Sequence, residues 1–314
     1  MGGFAAIGEC MIELSGANGD QWRMGFAGDT LNTTWYVRAL APADFPVDYV
    51  TAFGDDPFSD KQRAFLAENG IKTAHSPTIT GARPGLYAIT LTEAERSFTY
   101  WRSDSAARQL ADDMDALQRS LEGRRIIYFS GITMGILSPR ARQNLLSAVS
   151  GARRLGATVI FDANYRPRLW ENAETAKQAL SNAFHVSDIA LPTFPDENAL
   201  FGDATPEETA ARIASYGVKE IIVKDGTAPA LVVENGQQTS VPAIAARAVD
   251  TTGAGDSFNG AYISARVAGM DPVSSAAAAH RVAARVVEYH GALAPMKEAR
   301  KAFGVIPVDQ TNSA

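Results

Sequence analysis

Several features that would assign this chain to a particular class of protein are scarce or absent. The single cysteine, Cys10, has no partner for a disulfide within the chain. No run of about 18 apolar residues occurs, and no basic N-terminal segment leads into an apolar one. Acidic residues outnumber basic ones by 35 to 29, a net charge of −6 that argues against nucleic acid or an anionic membrane as a partner. We therefore expect a cytoplasmic protein with neither kind of partner.

The order of predicted elements favours an α/β fold. The 314 residues are 46% hydrophobic and 20% charged, which suits a globular protein with a large core. Apolar runs that read as buried strands alternate with segments of helical spacing. The predicted strands include residues 47–53, 124–130, 157–161, 186–191 and 220–224. This rhythm predicts a doubly wound, mostly parallel sheet, and we treat residues 1–314 as one domain.

Two segments break the rhythm and predict a second, smaller sheet. Residues 85–92 alternate apolar and polar side chains, and residues 97–102 follow after a short polar turn, which is typical of a hairpin. With strands from residues 9–26, this hairpin would form a small antiparallel sheet apart from the core. Such a sheet has the form of a lid, with strands near 9–26 and 86–102.

The stretch from Asp250 to Phe258 reads Asp-Thr-Thr-Gly-Ala-Gly-Asp-Ser-Phe and precedes a predicted helix. Its glycines allow backbone N–H groups to converge at the helix start, where they attract an anion. Asp256 places a carboxylate beside that position, which suits a base that takes a proton during phosphoryl transfer to an alcohol. A dinucleotide fingerprint is excluded because Phe258 stands where its third glycine would be, and a P-loop because Gly-Lys occurs nowhere. A simple glycine-rich helix start with a solvated Asp256 remains open.

The whole string resembles the signature of the ribokinase-like (PfkB) family of carbohydrate kinases. The resemblance extends from residue 5 to about residue 295. It implies a ribokinase-like fold, ATP and Mg²⁺ as cofactors, and Asp256 as the catalytic base. It also implies that the amides of Gly253, Ala254 and Gly255 form an anion hole that contacts both the reacting group and the nucleotide.

A second small-residue loop at a helix start is a candidate sugar site. Gly28 permits close approach, and the side chains of Asp29 and Asn32 suit hydroxyl groups, although Asp29 could equally cap the helix. The loop has the form found in the 2-keto-3-deoxygluconate kinases of the PfkB family. The resemblance implies that the sugar is bound by Gly28, Asp29, Thr30, Leu31 and Asn32.

Side chains on the predicted lid suggest a hydroxylated, anionic substrate. Tyr100 and Arg102 lie two apart on one strand and therefore face the same side. Together with Trp101 and with Tyr87 on the neighbouring strand, they are candidate substrate-binding residues. An exposed cross-strand pair is the alternative interpretation. Arg102 and Arg166 are the two candidates to bind a substrate carboxylate from opposite sides, a task that a neutral sugar would not require.

The remaining candidates come mainly from the resemblance. The segment from Asp162 to Trp170 resembles the same kinases, which implies that Asn164, Tyr165 and Arg166 lie where substrate and ATP phosphates meet. The resemblance also implies that Lys224, Asp225 and Gly226 lie near the nucleotide. His280 stands near a position that often contacts adenine, although a structural role is the simpler interpretation.

The magnesium site departs from the usual pattern of the family. Many family members have Asn-x-x-Glu after the strand predicted here at residues 186–191. If Glu197 is that Glu, this chain has Phe194 in place of the Asn. We predict Glu197 as the metal residue, with Asp196 as the alternative and two first-turn helix acids as the plain interpretation.

These observations predict ATP-dependent phosphorylation of the primary hydroxyl of a keto-deoxy sugar acid. A fructokinase or another sugar kinase of the family is the alternative enzyme, and a nucleotide-binding regulator without turnover is the alternative from another class. Retention of Asp256 argues against the regulator, because a binding protein needs no base. An open two-sided lid leaves apolar surface exposed, so we also predict a homo-oligomer formed through the lid.

Overall fold

The protein contains a mostly parallel α/β sheet and a smaller second sheet, as the sequence predicted. The structure is a computed structural model that describes residues 2–16, 21–92 and 95–304. The chain forms two compact units: Met1–Leu31 with Pro46–Asp188, and Asn32–Phe45 with Ile189–Ala314. The predicted single domain over residues 1–314 stays a prediction, and each unit is described in turn.

Strands and helices alternate in the first unit. Its strands are β1 (Phe4–Ile7), β2 (Met11–Gly16), β3 (Trp22–Ala27), β4 (Val47–Val50), β5 (Leu86–Thr92), β6 (Glu95–Trp101), β7 (Ile126–Ser130) and β8 (Thr158–Asp162). Its helices are α2 (Pro57–Glu68), α3 (Met114–Leu121), α4 (Gly131–Ile136), α5 (Pro139–Arg154) and α6 (Ala173–His185). Helix α1 (Asp29–Leu40) precedes them in the chain, and its last nine residues belong to the second unit. Two 3-10 turns, Ala106–Gln109 and Pro167–Leu169, complete this part.

The parallel strands of the first unit pair in the order β4-β1-β7-β8. All four residues of β1 and all five of β7 are buried, as expected for strands that helices cover on both faces. Asp162 ends β8, so the predicted site segment 162–170 begins at the carboxyl end of a parallel strand. Ligands of open α/β sheets bind at such ends.

The small sheet is separate from the parallel one and has the strand order β3-β2-β5-β6. Its two outer pairs are antiparallel, which confirms the predicted hairpin and the predicted pairing within 9–26. Its middle pair, β2 with β5, is parallel. Ser15 and Gly16, predicted as part of a turn over residues 15–20, belong to β2, and Glu95 and Arg96, predicted as part of a turn over residues 93–96, belong to β6. The other residues of the two predicted turns, 17–20 and 93–94, lie outside the described residues.

The second unit continues the α/β pattern with β9 (Ile189–Ala190), α7 (Phe194–Phe201), α8 (Pro206–Ser215), β10 (Glu220–Val223), β11 (Ala230–Glu234) and β12 (Gln237–Val241). Three helices follow, α9 (Ala254–Val267), α10 (Pro272–Val286) and α11 (Met296–Phe303). Strand β10 pairs in parallel with β9 and antiparallel with β11, which in turn pairs antiparallel with β12. The predicted strand over 186–191 is shorter than expected because Val186 still caps helix α6.

Candidate active site

The motif around Asp256 forms the start of helix α9 in the second unit. Gly253 is the N-cap and has a φ of 77°, in the left-handed region that glycine adopts without strain. A Cβ on Gly253 would also lie 2.9 Å from the Cα of Ala292, so both conformation and space require glycine here. No side chain caps this 14-residue helix. Its first-turn amides therefore form the positive end of a helix, which attracts an anion.

Asp250, at the other end of the motif, holds the loop in place. Its Oδ1 accepts a hydrogen bond of 3.0 Å from the amide of Thr252, and its Oδ2 accepts one of 2.6 Å from the amide of Gly291. The residue is 5% exposed. A buried carboxylate with two backbone donors is well satisfied, so Asp250 has a structural role while Asp256 remains the candidate base.

Asp256 is half-buried in the first turn of α9 and contacts helix α1. The side-chain amide of Asn32 donates to its Oδ2 at 2.7 Å, and the hydroxyl of Thr33 donates to its carbonyl oxygen at 3.3 Å. The structure therefore brings Asn32, a predicted sugar residue, directly to the predicted base. A donor on one carboxylate oxygen fixes the orientation of the other.

Lys224 follows β10 and lies beside the start of α9. Its side chain is 7% exposed, and its Nζ donates to Oδ1 of Asn259 at 3.0 Å. A Cβ placed on Gly255 would lie 3.8 Å from that Nζ, so the ammonium group is close to the helix start. Asp225 is half-buried, and Gly226 is exposed with a φ of 57°. The lysine adds a full positive charge where the helix already favours an anion.

His280 on α10 is buried and packs against helix α9. Its ring meets the ring of Phe258 edge-on, with 5.0 Å between centroids. Burial lowers the pKa of His280, and a hydrogen bond to the backbone of Val241 opposes that shift. Within the described part of the chain its Nε2 has no hydrogen-bond partner. This is compatible with either interpretation of His280, a core residue or a nucleotide contact.

Glu197 on α7, the predicted metal residue, is paired with an arginine. Its side chain is 1% exposed and its Oε2 accepts from Nη2 of Arg212 at 2.7 Å. The same arginine binds Asp203 at 2.6 Å. Asp196, the alternative, is half-buried. Among residues 2–16, 21–92 and 95–304, no group of three or more His, Cys, Asp or Glu is arranged to hold a metal ion. Glu197 is thus held by an ion pair with Arg212, and its role towards magnesium stays a prediction.

The first unit contains residues 28–31 of the predicted sugar loop. A Cβ on Gly28 would overlap the carbonyl oxygen of Glu9, which explains the glycine. Asp29 begins α1, and its Oδ2 accepts from the side-chain amide of Asn164 at 3.1 Å. Burial raises the pKa of the Asp29 carboxyl, while hydrogen bonds from Ser130 and Asn164 oppose the shift. Thr30 and Leu31 are fully buried in the fold.

Asn164 links Asp29 to the carboxyl end of β8. Its backbone has a φ of 33°, which is rare for a residue other than glycine. The amide of Asn164 donates to Oδ1 of Asp162 at 3.0 Å, which holds the turn. Next in the chain, Tyr165 is buried, and Arg166 is exposed with its Nη1 donating to the carbonyl of Tyr165 at 2.7 Å. The predicted phosphate-junction residues are thus contiguous, and one of them contacts a predicted sugar residue.

The predicted lid residues form an aromatic and charged face on the small sheet. Tyr87 and Tyr100 lie directly opposite each other on β5 and β6, with ring centroids 5.6 Å apart. The guanidinium carbon of Arg102 lies 5.9 Å from the ring centroid of Tyr100, which confirms that these two share a face. Trp101 alternates to the opposite face and is 57% exposed.

Two carboxylates on this face were missed by the sequence analysis. Glu13 accepts a hydrogen bond from the hydroxyl of Tyr87, and Glu9 accepts one from Nη2 of Arg102. Asn259, the partner of Lys224, was also missed as a site residue. For Asn259 a signal existed, since it stands three residues after Asp256 and so one helical turn further on. For Glu9 no local signal existed, because its partner is 93 positions away.

An α/β fold, a carboxylate and a lysine beside a helix start, and a separate small sheet are the features predicted for a phosphotransferase of the sugar-kinase type. The pattern of the pfkB family carbohydrate kinases matches residues 1–299. The chain belongs to this family, and the predicted fold class and family are confirmed.

Individual relatives refine the similarity. The chain is 42% identical over 301 residues to a 2-dehydro-3-deoxygluconokinase of Dickeya dadantii, covering 93% of this chain and 97% of that protein. A crystal structure of 2-dehydro-3-deoxygluconokinase from Thermotoga maritima superposes with a TM-score of 0.83 at 23% identity, over 97% of this chain and all of the other. An Escherichia coli structure that holds ATP and Mg²⁺ gives a TM-score of 0.84 at 23% identity, over 96% and 99% of the two chains. Fructokinase-2 of Oryza sativa is more distant, at 28% identity over 68% of this chain and 64% of that protein.

No helix within the described ranges is both long enough and apolar enough to span a bilayer.

Proposed function

We propose that this protein transfers the terminal phosphoryl group of ATP to the primary hydroxyl of 2-keto-3-deoxygluconate, which gives the 6-phosphate. The observation that carries the proposal is the position of Asp256, a carboxylate in the first turn of an uncapped 14-residue helix with a lysine beside it. A base next to an anion site is what phosphoryl transfer to an alcohol requires. The relative from Dickeya dadantii, named for phosphorylation of this same sugar acid, supports the choice of substrate.

Asp256 is the proposed base. The side-chain amide of Asn32 donates to its Oδ2 at 2.7 Å and so orients the carboxylate that is proposed to accept the proton of the sugar hydroxyl as the oxygen attacks phosphorus. The amides of Gly253, Ala254 and Gly255 and the Nζ of Lys224 are proposed to stabilise the negative charge that spreads over the phosphoryl oxygens. In the structure the amide of Ala254 donates to the carbonyl oxygen of Thr251 at 3.2 Å, so it would exchange that acceptor for the phosphate.

The start of α9 fits the phosphates of ATP. A Cβ on Gly255 would lie in ordinary van der Waals contact with Nζ of Lys224, at 3.8 Å, which shows that backbone donors and a cation lie close together there. Mg²⁺ supplies charge neutralisation when it is bound to the phosphates, and it usually keeps several waters and few protein ligands. Because Glu197 is buried against Arg212, no catalytic step is assigned to it. Asp225, Gly226 and His280 remain proposed nucleotide contacts, and the supply of ATP makes the cytoplasm the proposed location.

An acidic sugar explains the charged residues of the first unit. A carboxylate that loses its water needs specific cations, and a protein with a net charge of −6 attracts it only where cations are placed for that purpose. Arg102 and Arg166 are the proposed partners of the carboxylate. Gly28, Asp29 and the paired rings of Tyr87 and Tyr100 are proposed to contact the sugar's remaining atoms.

A coupled ADP-release assay tests the proposal. We expect kcat/KM for 2-keto-3-deoxygluconate to exceed that for 2-keto-3-deoxygalactonate, fructose and ribose. A preference for fructose would replace the proposal with the alternative enzyme, a fructokinase, and would leave the family assignment intact. Binding of ATP without turnover of any sugar would favour the nucleotide-binding regulator.

We also propose that a second copy of the chain covers one face of the small sheet. The face opposite Tyr87 and Tyr100 exposes Trp22 by 48%, Met24 by 39% and Trp101 by 57%. Large apolar side chains grouped on one sheet face commonly mark an interface. Light scattering should show a dimer, and Trp22→Ser with Trp101→Ser should shift it to the monomer. A wild type that is monomeric at assay concentration would contradict this proposal.

A further inference from the structure

A buried ion pair lies at the edge of the small sheet. Glu9 stands just before β2, and Arg102 just after β6, so the pair joins two segments of the first unit. Nη2 of Arg102 donates to Oε2 of Glu9. The Glu9 side chain is 1% exposed and that of Arg102 is 11% exposed. A pair so shielded from water is much more strongly coupled than a surface salt bridge.

The absence of a side chain on Gly85 makes room for this pair. A Cβ on Gly85 would lie 2.6 Å from Oε1 of Glu9 and 3.1 Å from the Cβ of Arg102. Both members of the pair therefore pack against the same glycine at the start of β5. Their position is set by packing as well as by charge.

The two side chains of this ion pair differ in how accessible they are to a ligand. Glu9 is almost completely enclosed, whereas part of Arg102 is exposed beside the ring of Tyr100. Glu9 accepts from Nη2 of Arg102, and Nε of Arg102, which is buried, has no hydrogen-bond partner in the part of the chain that is described. An arginine has five N–H donors in a rigid plane, so Glu9 can hold one of them while the exposed part of the guanidinium binds a carboxylate.

We propose that Glu9 is a positioning residue that fixes Arg102 for the carboxylate of the sugar acid. The inference rests on the proposed function and deepens it, because it assigns a residue that does not itself touch substrate. A guanidinium that is already held in place loses little conformational entropy when the substrate binds. Removing Glu9 should therefore weaken binding of the sugar acid without changing the chemical step.

Steady-state kinetics with three variants test this role. We expect Glu9→Ala to raise KM for 2-keto-3-deoxygluconate about tenfold, a loss of about 1.4 kcal/mol, with kcat and KM for ATP unchanged. Glu9→Gln keeps a hydrogen-bond acceptor and the shape of the side chain, and should restore KM to within about threefold of wild type. Asp48→Ala is the matched control. Asp48 on β4 is also a buried carboxylate paired with an arginine, since its Oδ1 lies 3.1 Å from Nη2 of Arg124. Its removal should leave KM for the sugar acid unchanged.

A double-mutant cycle separates positioning from other roles. If Glu9 acts through Arg102, Glu9→Ala should cause no further rise in KM when Arg102 is already Leu. An equal rise in both backgrounds, or a fall in kcat rather than a rise in KM, would overturn the inference. If Glu9→Ala does not fold, Gly85→Ala displaces the pair with both charges kept, and it should raise the same KM. An unchanged KM in that variant also counts against the role.

The wild-type assay distinguishes the two levels of the argument. If the wild type phosphorylates the sugar acid and the Glu9 variants keep its KM, only the role of Glu9 is wrong. If the wild type phosphorylates no sugar acid, both the proposed function and the inference are overturned.

Discussion

The start of α9 and the charged face of the small sheet position their charged groups in different ways. At α9 the groups come mainly from one short segment, and the positive potential comes from backbone amides and one lysine. On the small sheet Arg102 is paired with Glu9 and Tyr87 with Glu13, and both carboxylates are distant in the sequence. The first region would attract a phosphate through groups that are near one another in the chain, whereas the second depends on long-range pairing. Chemistry is therefore expected to depend on the first region, and substrate choice on the second.

The largest expected effect tests the chemical role of the first region. Asp256→Asn keeps the size of the side chain but removes the proton acceptor, so kcat should fall by about 10²–10⁴. ADP release measures kcat, and calorimetry should show ATP binding close to wild type. Asp271→Asn is the control, since Asp271 only caps α10 and Asn caps equally well, so kcat should stay unchanged. Near wild-type turnover in Asp256→Asn would refute the mechanism.

The second prediction concerns substrate choice. Arg102→Leu and Arg166→Leu should each raise KM for the sugar acid by about ten- to a hundredfold, because each removes charge-assisted hydrogen bonds worth about 1.5–3 kcal/mol. Turnover of a neutral ketose should change much less, and Arg168→Leu, at an exposed neighbour, should change neither. Unchanged KM values in both variants would leave a kinase without the acid-sugar assignment.

The same two variants should differ sharply in stability. Arg102→Leu leaves the Glu9 carboxylate buried without its partner, which should lower the free energy of unfolding by about 3–5 kcal/mol. Arg166 is exposed, so its loss should change stability by no more than about 0.5 kcal/mol. Urea unfolding measures both values. Equal stabilities would show that Glu9 finds another partner when Arg102 is absent.

A smaller effect is expected for the lysine of the first region. Lys224→Met removes the ammonium beside the start of α9 and should raise KM for ATP about tenfold, at roughly 1.4 kcal/mol per decade. Lys219→Met, at an exposed lysine close by in sequence, is the matched control and should leave that KM unchanged. A rise in KM for the sugar alone would move Lys224 from the nucleotide to the substrate.

The smallest effect is a pH dependence of stability from His280. Burial lowers its pKa in the folded state, so below a pH of about 6.5 the unfolded state binds the proton more readily. The free energy of unfolding should therefore fall as pH drops from about 6.5 towards the folded pKa, by at most about 1.4 kcal/mol per pH unit. His280→Gln should flatten this slope in urea titrations, whereas His185→Gln, at an exposed histidine, should not.

Local patterns predicted most of the fold, because strand alternation and helix spacing depend on residues that are close together in the sequence. The strand that ends at Asp162, the hairpin of β5 and β6, and the helix that follows Gly253 are all confirmed. The parallel pairing of β2 with β5 was not predicted, since it joins strands about 70 positions apart with no shared turn. The contact of Asn32 with Asp256 spans 224 positions and was missed for the same reason. The roles assigned to the site residues stay predictions.

The unusual backbone of Asn164 has a consequence for attempts to make this protein more robust. Glycine adopts a φ of 33° more readily than asparagine, so Asn164→Gly would relax the backbone. That change would also remove the amide that donates to the Asp29 carboxyl at 3.1 Å, a loss of about 1–3 kcal/mol that outweighs the gain. A glycine chosen for its backbone alone is therefore expected to lower the stability of this protein.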